Sequence, residues 1–200
     1  MSDQDNVKIV VVGDGACGKT CFLEVFKSDK FPEEYVPTVV DNFVKNVKID
    51  ENTEVTLALW DTAGQEDYDT IRPLSYRGTD LIFLCYTVEN KKNLENITSK
   101  WLVEIKNYCP EAPFYLVALK KDLRDEAVEQ EVSYEIEEEF VTTKEGKEMA
   151  AKIKAMHFFE CSALARENVD EIFISAAKDT LKTKKTQSQT RSGCCSCIFG

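Results

Sequence analysis

The sequence predicts an α/β protein built on a six-stranded, mostly parallel β-sheet that is covered by helices on both faces. Short apolar runs rich in β-branched residues alternate along the chain with stretches of helical periodicity. Three of these runs, at 7–12, 81–87 and 114–119, are apolar almost throughout, which is typical of parallel strands buried on both faces. A polar turn at 50–53 separates two further runs and predicts a hairpin.

The same periodicities place the individual elements. The predicted strands are, in chain order, 7–12, 43–49, 54–60, 81–87, 114–119 and 157–161. The predicted helices are 19–27, 90–108, 143–155 and 168–181. From Lys182 onward the composition shifts to Lys, Thr, Gln and Ser and the periodicity disappears. Residues 1–181 are therefore predicted to form one domain, and residues 182–200 a flexible tail.

Composition limits the classes of protein to which the chain can belong. Its 200 residues, 43% of them hydrophobic, suffice for one globular domain with a substantial core. No stretch approaches 18 apolar residues, and the acidic N-terminus lacks a signal-peptide pattern, so we expect a cytoplasmic protein. The cysteines within the predicted domain are then expected to be reduced. His157, the single histidine, is interpreted as a packed or surface residue, because no catalytic arrangement accompanies it.

Charge is distributed unevenly along the chain. The net charge of −11 argues against general binding of nucleic acid. Residues 122–139 contain nine acidic side chains and a single basic one, Arg124. A charge run of this kind is typical of a solvated helix face.

A phosphate-binding motif, G-x-x-x-x-G-K-[ST], lies directly after the first predicted strand and directly before a helix, the context that makes it specific. Glycines let backbone N–H groups turn towards phosphate oxygens, and the helix N-terminus adds partial positive charge. Lys19 is predicted to reach the β- and γ-phosphates, and the Thr20 hydroxyl to bind Mg²⁺. The predicted nucleotide-binding residues of this segment are Gly13, Asp14, Gly15, Ala16, Cys17, Gly18, Lys19, Thr20 and Cys21. For Cys17 and Cys21, redox sensitivity and simple packing are both open interpretations.

A second cluster follows the predicted hairpin, where Trp60 to Glu66 read WDTAGQE. Asp61 lies at a strand end, where a carboxylate can hold Mg²⁺, here through a water molecule. Gly64 offers a backbone N–H without a Cβ beside it, and Gln65 has a donor and an acceptor that can orient a water for in-line attack. Together with the phosphate loop, these residues predict handling of a nucleoside triphosphate.

The segments GDGACGKTC, YVPTVVDNF and WDTAGQEDYD together resemble the Rho family of Ras-like small GTPases, and the resemblance extends from about Val7 to Leu181. It implies the P-loop NTPase (Ras-like) fold with a Rho-type helical insert at about 123–139. It also implies a switch that cycles between GTP and GDP, hydrolyses GTP slowly with Mg²⁺, and signals through two switch loops to the actin cytoskeleton. Rho-like and Rac-like features are mixed, so the subfamily stays open.

The resemblance also assigns roles within the switch loops. The first switch would contain Tyr35 and Thr38, and Thr38 would bind Mg²⁺ and sense the γ-phosphate; residues 64–76 would form the second. At Gly15 there would be no room for a side chain beside Gln65 and the γ-phosphate. The residues implied in catalysis are Lys19, Thr38, Gly64 and Gln65. The effector surface would comprise Val36, Pro37, Val39, Val40, Asp41, Asn42 and Phe43.

The segment LVALKKDLR, at 116–124, predicts the base-binding site. Guanine presents an N1–H and an amine side by side, and one carboxylate can accept from both, an arrangement that adenine lacks. Asp122 would supply that carboxylate, while the stem of Lys120 would lie along the base plane with its ammonium near the phosphate loop and the ribose. The further contacts implied by the resemblance are Phe31, Tyr35, Ser162, Ala163 and Leu164.

Leu119 departs from the family pattern Asn-Lys-x-Asp, in which its position holds Asn or, among Rac-like members, Thr. Leucine has no donor for the guanine N7. The loss of one neutral hydrogen bond costs about 0.5–1.5 kcal/mol, which is roughly three- to tenfold in affinity. The hypothesis is that guanine specificity survives while nucleotide release is faster than in relatives with Asn or Thr.

The chain ends in a sequence of the C-a-a-X type. Cys197 is the predicted prenylation site, although the terminal Gly200 leaves the lipid unassigned, and Cys194 and Cys195 are candidate palmitoylation sites. One lipid gives only marginal attachment, so a second acyl chain or the nearby basic residues would be needed to hold a membrane. An unmodified tail with free thiols is the alternative.

Several partners follow from the resemblance. They are a guanine-nucleotide exchange factor, a GTPase-activating protein, a dissociation inhibitor, effectors of the kinase or formin type, and the inner face of the plasma membrane or another membrane. The chain is expected to be a monomer. Two alternatives remain: a P-loop metabolic kinase, for which the sequence shows no lid arginines, and a fast-exchanging, mostly GTP-loaded binding module, which Leu119 keeps open.

Overall fold

The computed structural model describes residues 6–33, 38–130 and 139–193. The strands are β1 (Asn6–Gly13), β2 (Val40–Lys48), β3 (Glu54–Thr62), β4 (Leu81–Thr87), β5 (Phe114–Leu119) and β6 (His157–Glu160). The α-helices are α1 (Lys19–Ser28), α2 (Lys91–Asn96), α3 (Leu102–Tyr108), α4 (Lys121–Glu129), α5 (Thr143–Ile153) and α6 (Val169–Gly193). Short 3₁₀ turns occupy Glu66–Tyr68 and Arg72–Ser75.

The strands form one six-stranded sheet in the order β2-β3-β1-β4-β5-β6. β2 and β3 pair antiparallel as the predicted hairpin, and the other neighbouring strands pair in parallel. The α/β fold class predicted from the sequence is therefore confirmed. Because the carboxyl ends of β1, β3, β4 and β5 meet at one edge, the loops that follow them lie together, which is where open α/β sheets bind ligands.

Two apolar layers cover the sheet. On one face, aromatic side chains of α1 and α6 stack in a row in which the ring of Phe173 lies 4.9 Å from that of Phe22 and 3.7 Å from that of Phe26. On the other face, Trp101 and Ile105 pack with residues of β4 and α5. The nearly continuous apolar strands are buried between these layers, as their sequences predict.

The predicted helix 90–108 is divided. Asn90 caps α2 by accepting a hydrogen bond from the N–H of Lys92, and a π-helical turn, Ile97–Trp101, separates α2 from α3. Such turns change the direction of the side chains that follow them and are frequent at functional sites. Here the turn begins after Asn96 and ends at Trp101, and both of these side chains contact the phosphate loop.

The last helix differs from the sequence-based expectation. It does not end at Leu181 but continues to Gly193, where the sequence had indicated a flexible tail. Between those residues the chain has no Pro or Gly that would stop a helix, and the ammonium of Lys184 donates to Asp80, 2.8 Å away, and to the carbonyl of Asn6. None of the described helices is long and apolar enough to cross a bilayer.

Candidate functional site

The phosphate loop joins β1 to α1, and Lys19 lies inside it. Its ammonium is buried and donates to the carbonyls of Gly13 and Asp14, at 2.7 and 2.8 Å. The loop therefore holds one positive charge against two of its own backbone carbonyls. That is the position from which the sequence predicts contact with phosphates. The neighbouring cavity of about 500 Å³ includes Gly15, Lys19, Thr20, Thr38 and Gln65 in its lining.

Three predicted metal ligands converge in the structure. The hydroxyl of Thr20 lies 2.7 Å from that of Thr38 and donates to Asp61 Oδ2 at 2.6 Å. The other carboxylate oxygen, Asp61 Oδ1, is buried and has no hydrogen-bond partner among the described residues. An unpaired buried acceptor is costly, and a hard cation surrounded by oxygen ligands would satisfy it.

Opposing effects act on the protonation of the Asp61 carboxylate. Burial raises the pKa of Asp61, while hydrogen bonds from Thr20 and the charge of Lys19 act in the opposite direction. A nearby divalent cation would favour the ionised form. Among the described residues, no group of three His, Cys, Asp or Glu side chains is placed to bind a metal. The donor set of one carboxylate and two hydroxyls fits Mg²⁺, because this ion binds few protein oxygen ligands and completes its shell with water and phosphate oxygens.

Gly64 and Gln65 lie directly against the phosphate loop. A Cβ on Gly64 would lie 2.3 Å from the carbonyl oxygen of Gly13 and 2.4 Å from the nitrogen of Gly15, so only glycine fits there. A Cβ on Gly15 would lie 3.4 Å from Cγ of Gln65, which is ordinary contact. Against Gln65 alone, a Cβ at Gly15 is therefore accommodated.

Sequence reasoning missed the residue that holds this segment in place. Arg72 is fully buried and donates to the carbonyls of Ala63 at 2.8 Å and Gln65 at 3.1 Å. It also pairs with Glu104 at 2.7 Å and with Asp69 at 2.6 Å. Since Arg72 and Glu104 are 32 residues apart, no local sequence pattern indicates that they form an ion pair.

Asp14 connects the phosphate loop to the π-helical turn. Its carboxylate accepts hydrogen bonds from Trp101 Nε1 and Asn96 Nδ2, both at 2.7 Å. The guanidinium of Arg72 stacks over the ring of Trp101 at 4.7 Å. Trp101 thus contacts both the phosphate loop, through Asp14, and the Gln65 segment, through Arg72. The carboxylate of Asp14 helps to fix the phosphate loop against the π-helical turn.

The predicted base site is a cavity of about 210 Å³, which we call the base cavity. It is lined by Gly18, Cys21, Phe22, Phe31, Leu119, Lys120, Asp122, Leu123, Ala163 and Leu164. Asp122 lies in the first turn of α4, and within the described part of the chain no group donates a hydrogen bond to it or pairs with it. An acceptor-only side chain is thereby presented to a ligand with adjacent donors.

Lys120 and Ser162 hold the base cavity in shape. Lys120 has a left-handed backbone at φ 60°, and its stem passes Gly18 of the phosphate loop, with Cε 3.6 Å from where a Cβ on Gly18 would lie. Its ammonium also pairs with Glu89. Ser162 is fully buried, and its hydroxyl accepts from the N–H of Ala165 at 2.9 Å. Ser162 therefore shapes the loop that carries Ala163.

The thiols near the phosphate loop are not activated. Burial raises the pKa of Cys17 and also that of the half-buried Cys21. Reactive cysteines require a lowered pKa, so packing is the interpretation that the structure favours for both. The free thiols of Cys17, Cys85 and Cys161 are buried, in line with the expectation of reduced cysteines.

The predicted effector segment follows Thr38 into β2, the edge strand of the sheet. Val39, Val40, Asp41 and Asn42 are exposed, whereas Phe43 is half-buried and packs on the core. The remaining predicted switch residues, Tyr35, Val36 and Pro37, lie outside the described residues. The candidate lipidation sites Cys194, Cys195 and Cys197 also lie outside them.

Comparison with known proteins identifies the class to which this fold and site belong. The model of the Ras family matches residues 8–182. The chain is also similar to the Rho-related GTP-binding protein RhoB of Homo sapiens, Mus musculus and Rattus norvegicus. Each is 52% identical to it over 191 residues, 95% of this chain and 95% of the relative. The chain belongs to the Ras family of GTP-binding proteins.

Within that family it is a Rho-type small GTPase, a switch that binds GTP and GDP and hydrolyses GTP. The resemblance seen in the three sequence segments is therefore confirmed. Membership of this family also implies that regulators and effectors act on the protein.

Proposed function

We propose that Thr20, Thr38 and Asp61 hold Mg²⁺ at the phosphates of the bound nucleotide, with Asp61 acting through a water molecule. The observation that supports this assignment best is the convergence of the two hydroxyls and the carboxylate, with Asp61 Oδ1 buried and unpartnered. When bound, the metal neutralises phosphate charge and orients the triphosphate.

The residues around the phosphates have distinct proposed roles in hydrolysis. Lys19 and the N–H of Gly64 face the site at which negative charge develops, and Thr38 reports the γ-phosphate to the first switch. The side-chain amide of Gln65 orients the attacking water, and Arg72 holds the carbonyl of Gln65 rather than approaching the phosphates. Since Arg72 is committed in this way, an arginine supplied by an activating protein would add about 10³–10⁵ in rate.

Single-turnover hydrolysis of GTP tests this assignment. Gln65→Leu should abolish stimulated hydrolysis while leaving GDP binding intact, because the side chain positions water rather than nucleotide. Glu66→Gln, at the exposed neighbouring residue, is the matched control and should hydrolyse GTP like the wild type. Equal hydrolysis by the Gln65 variant and the wild type would overturn the assignment.

The base cavity is proposed to select guanine. Asp122 would accept from the N1–H and the 2-amine, the N–H of Ala163 would donate to O6, and Phe31 and Leu164 would cover the ring. The Asp122 contact is charge-assisted and therefore the strongest of these. ATP that competed with GTP at equal concentration would contradict the proposal.

Release kinetics separate the regulated switch from a fast-exchanging, mostly GTP-loaded binding module. Leu119 favours the second behaviour, while Gln65 and Gly15 favour retained hydrolysis. We expect fluorescent GDP to leave the wild type roughly three- to tenfold faster than it leaves Leu119→Asn. If release is not slowed by the substitution, the hypothesis of fast exchange fails.

The proposed partners are those of a membrane-attached switch. They are an exchange factor, an activating protein, a dissociation inhibitor and effectors of the kinase or formin type, with actin as the downstream target. The described part of the proposed effector surface would comprise the exposed residues Val39 to Asn42 and the half-buried Phe43, at the start of the edge strand. Prenylation of Cys197, with palmitoylation of Cys194 or Cys195, would attach the protein to the inner face of the plasma membrane or another membrane. Mass spectrometry of the protein from its native cells tests these modifications.

A further inference from the structure

The end of α1 and the strand β2 exchange lysine side chains across the gap between them. Lys27, in the last turn of α1, holds its ammonium 5.3 Å from the centroid of the Phe43 ring in β2. Lys45, in β2, holds its ammonium 4.3 Å from the centroid of the Phe26 ring in α1. Both distances are within the range at which a cation is attracted to the face of an aromatic ring. We call these two interactions the lysine–phenylalanine contacts.

Lys45 makes a second interaction with the same helix, because its ammonium donates a hydrogen bond to the carbonyl of Phe26. The last four carbonyls of an α-helix have no partner within the helix, and this end of the helix carries partial negative charge. Since α1 ends at Ser28, the Phe26 carbonyl is one of these groups. The half-buried Lys45 therefore satisfies a helix carbonyl, opposes the helix dipole and covers a ring, whereas Lys27 is exposed and covers a ring only.

The connection between α1 and β2 carries two groups of the candidate site. Phe31 follows the end of α1 and lines both the cavity beside the phosphate loop and the base cavity. Thr38 precedes β2, and its hydroxyl lies 2.7 Å from that of Thr20. Because Phe31 is joined to the end of α1 and Thr38 to the start of β2, separation of these two elements would withdraw both groups from a bound nucleotide.

The lysine–phenylalanine contacts act against such a separation. β2 is the edge strand of the sheet, so backbone hydrogen bonds of the sheet hold it on one side, through β3. The side chains of Lys27 and Lys45 add a connection to α1. A nucleotide that contacts Phe31 and Thr38 favours the same arrangement of α1 and β2, and loss of the lysines should therefore raise the population of arrangements that release it.

We propose that Lys27 and Lys45 are positioning residues for nucleotide retention, because they hold the end of α1 against β2. The inference rests on the proposed function, in which Phe31 covers the base and Thr38 binds Mg²⁺. Neither lysine lines the cavity beside the phosphate loop or the base cavity. Their loss should therefore speed the release of GDP and GTP alike and leave the preference for guanine unchanged.

The test follows the release of fluorescent GDP from the full-length protein at fixed Mg²⁺ after addition of excess unlabelled GDP. Lys27→Met should release it about two- to fivefold faster than the wild type, and Lys45→Met about three- to thirtyfold faster. Lys48→Met is the matched control, since Lys48 is exposed on the same strand and its side chain forms no hydrogen bond or ion pair within the described residues. If Lys27→Met and Lys45→Met both release GDP at the rate of Lys48→Met, the inference is wrong.

Further variants distinguish positioning from a general loss of structure. Lys45→Arg keeps a cation that can stack on Phe26 and donate to its carbonyl, so release should return to within about twofold of the wild-type rate. Phe43→Leu removes the ring that attracts Lys27, so adding Lys27→Met to it should change release by less than about twofold. Glu24→Gln should have no effect, because the pair of Lys27 with Glu24, at 3.2 Å, is exposed. Equal acceleration by Lys27→Met with and without Phe43→Leu would overturn the inference, as would fast release from Lys45→Arg.

The same measurements separate this inference from the proposed function. A wild type that does not bind GDP, or from which ATP displaces GDP as readily as GTP does, would contradict the proposed site itself. A wild type that binds GDP and lysine variants that release it no faster would contradict only the role of Lys27 and Lys45. If Lys45→Met does not fold, the comparison of Lys27→Met with and without Phe43→Leu decides the matter, because neither of these side chains is fully buried.

Discussion

Replacing Arg72 by Met should destabilise the protein more than any surface substitution. The change removes hydrogen bonds to the carbonyls of Ala63 and Gln65, two ion pairs, and the stacking over Trp101. It leaves Glu104, whose side chain is 12% exposed, without its guanidinium. Removing one partner of a buried pair costs about 3–5 kcal/mol, because the remaining charge is uncompensated.

This loss of stability corresponds to a measurable fall in the melting temperature. A domain of this size loses about 2–4 °C per kcal/mol, so we expect the melting temperature of Arg72→Met to fall by roughly 6–20 °C. The assay is thermal unfolding followed by circular dichroism at fixed GDP and Mg²⁺, because bound ligands shift the transition. Arg77→Met is the control: Arg77 is exposed, its backbone carbonyl accepts from Lys8, and its side chain forms no hydrogen bond or ion pair within the described residues.

Two further variants identify the cause. Arg72→Lys retains the charge but not the planar fork, so it should recover only part of the loss. Arg72→Met combined with Glu104→Met should be less destabilised than the sum of the single changes, because no buried charge is left unpaired. If Arg72→Met melts within about 2 °C of Arg77→Met, the reasoning about the buried network is refuted.

Three other outcomes follow from the geometry. Gly64→Ala should slow single-turnover GTP hydrolysis by about 10²-fold or more, since its Cβ would overlap the carbonyl of Gly13, 2.3 Å away, and displace the loop; hydrolysis at the wild-type rate would contradict this. Asp61→Asn should make GDP release less sensitive to chelation of Mg²⁺ by EDTA than it is in the wild type, and an unchanged sensitivity would exclude Asp61 from the metal site. Burial disfavours the carboxylate of Asp179, but hydrogen bonds from Tyr115 and His157 lower its pKa below the usual Asp value of about 3.9. Its contribution is complete above that unfolded value and lost as the pH falls through the lower folded one, so between about pH 5 and 2 the free energy of unfolding should decline more steeply for the wild type than for Asp179→Asn.

Much of the fold could be predicted from the sequence because the local patterns of apolar and polar residues are strong. The nearly uninterrupted apolar strands β1, β4 and β5 and the polar turn of the hairpin required no tertiary information. The division of the helix at Ile97–Trp101 could not be predicted, because residues 90–108 have helical periodicity and contain no Pro or Gly that would mark a break. The continuation of α6 to Gly193 was missed because the periodic apolar signal ends at Leu181 although helix-compatible residues continue.

By itself, the sequence determined which functional groups the candidate site contains. The phosphate loop, the WDTAGQE segment and Asp122 carry their functional groups at fixed short spacings beside predicted strand ends, so local order was enough to find them. It also exposed the anomaly at Leu119, since a motif position is defined by its neighbours in the chain.

Only the tertiary structure decided how these groups are held. Arg72, Glu104 and Trp101 come from separate segments, and Asp14 is turned towards Trp101 and Asn96 by a contact that spans more than eighty residues. Folding brings such residues together through the packing of whole helices against the sheet, which leaves no periodic trace in the chain. Likewise, the burial of Leu119 in the wall of the base cavity depends on where β5 meets Gly18. Spacing along the chain reveals which groups a site contains, whereas packing fixes which of them reach the ligand and which support the others.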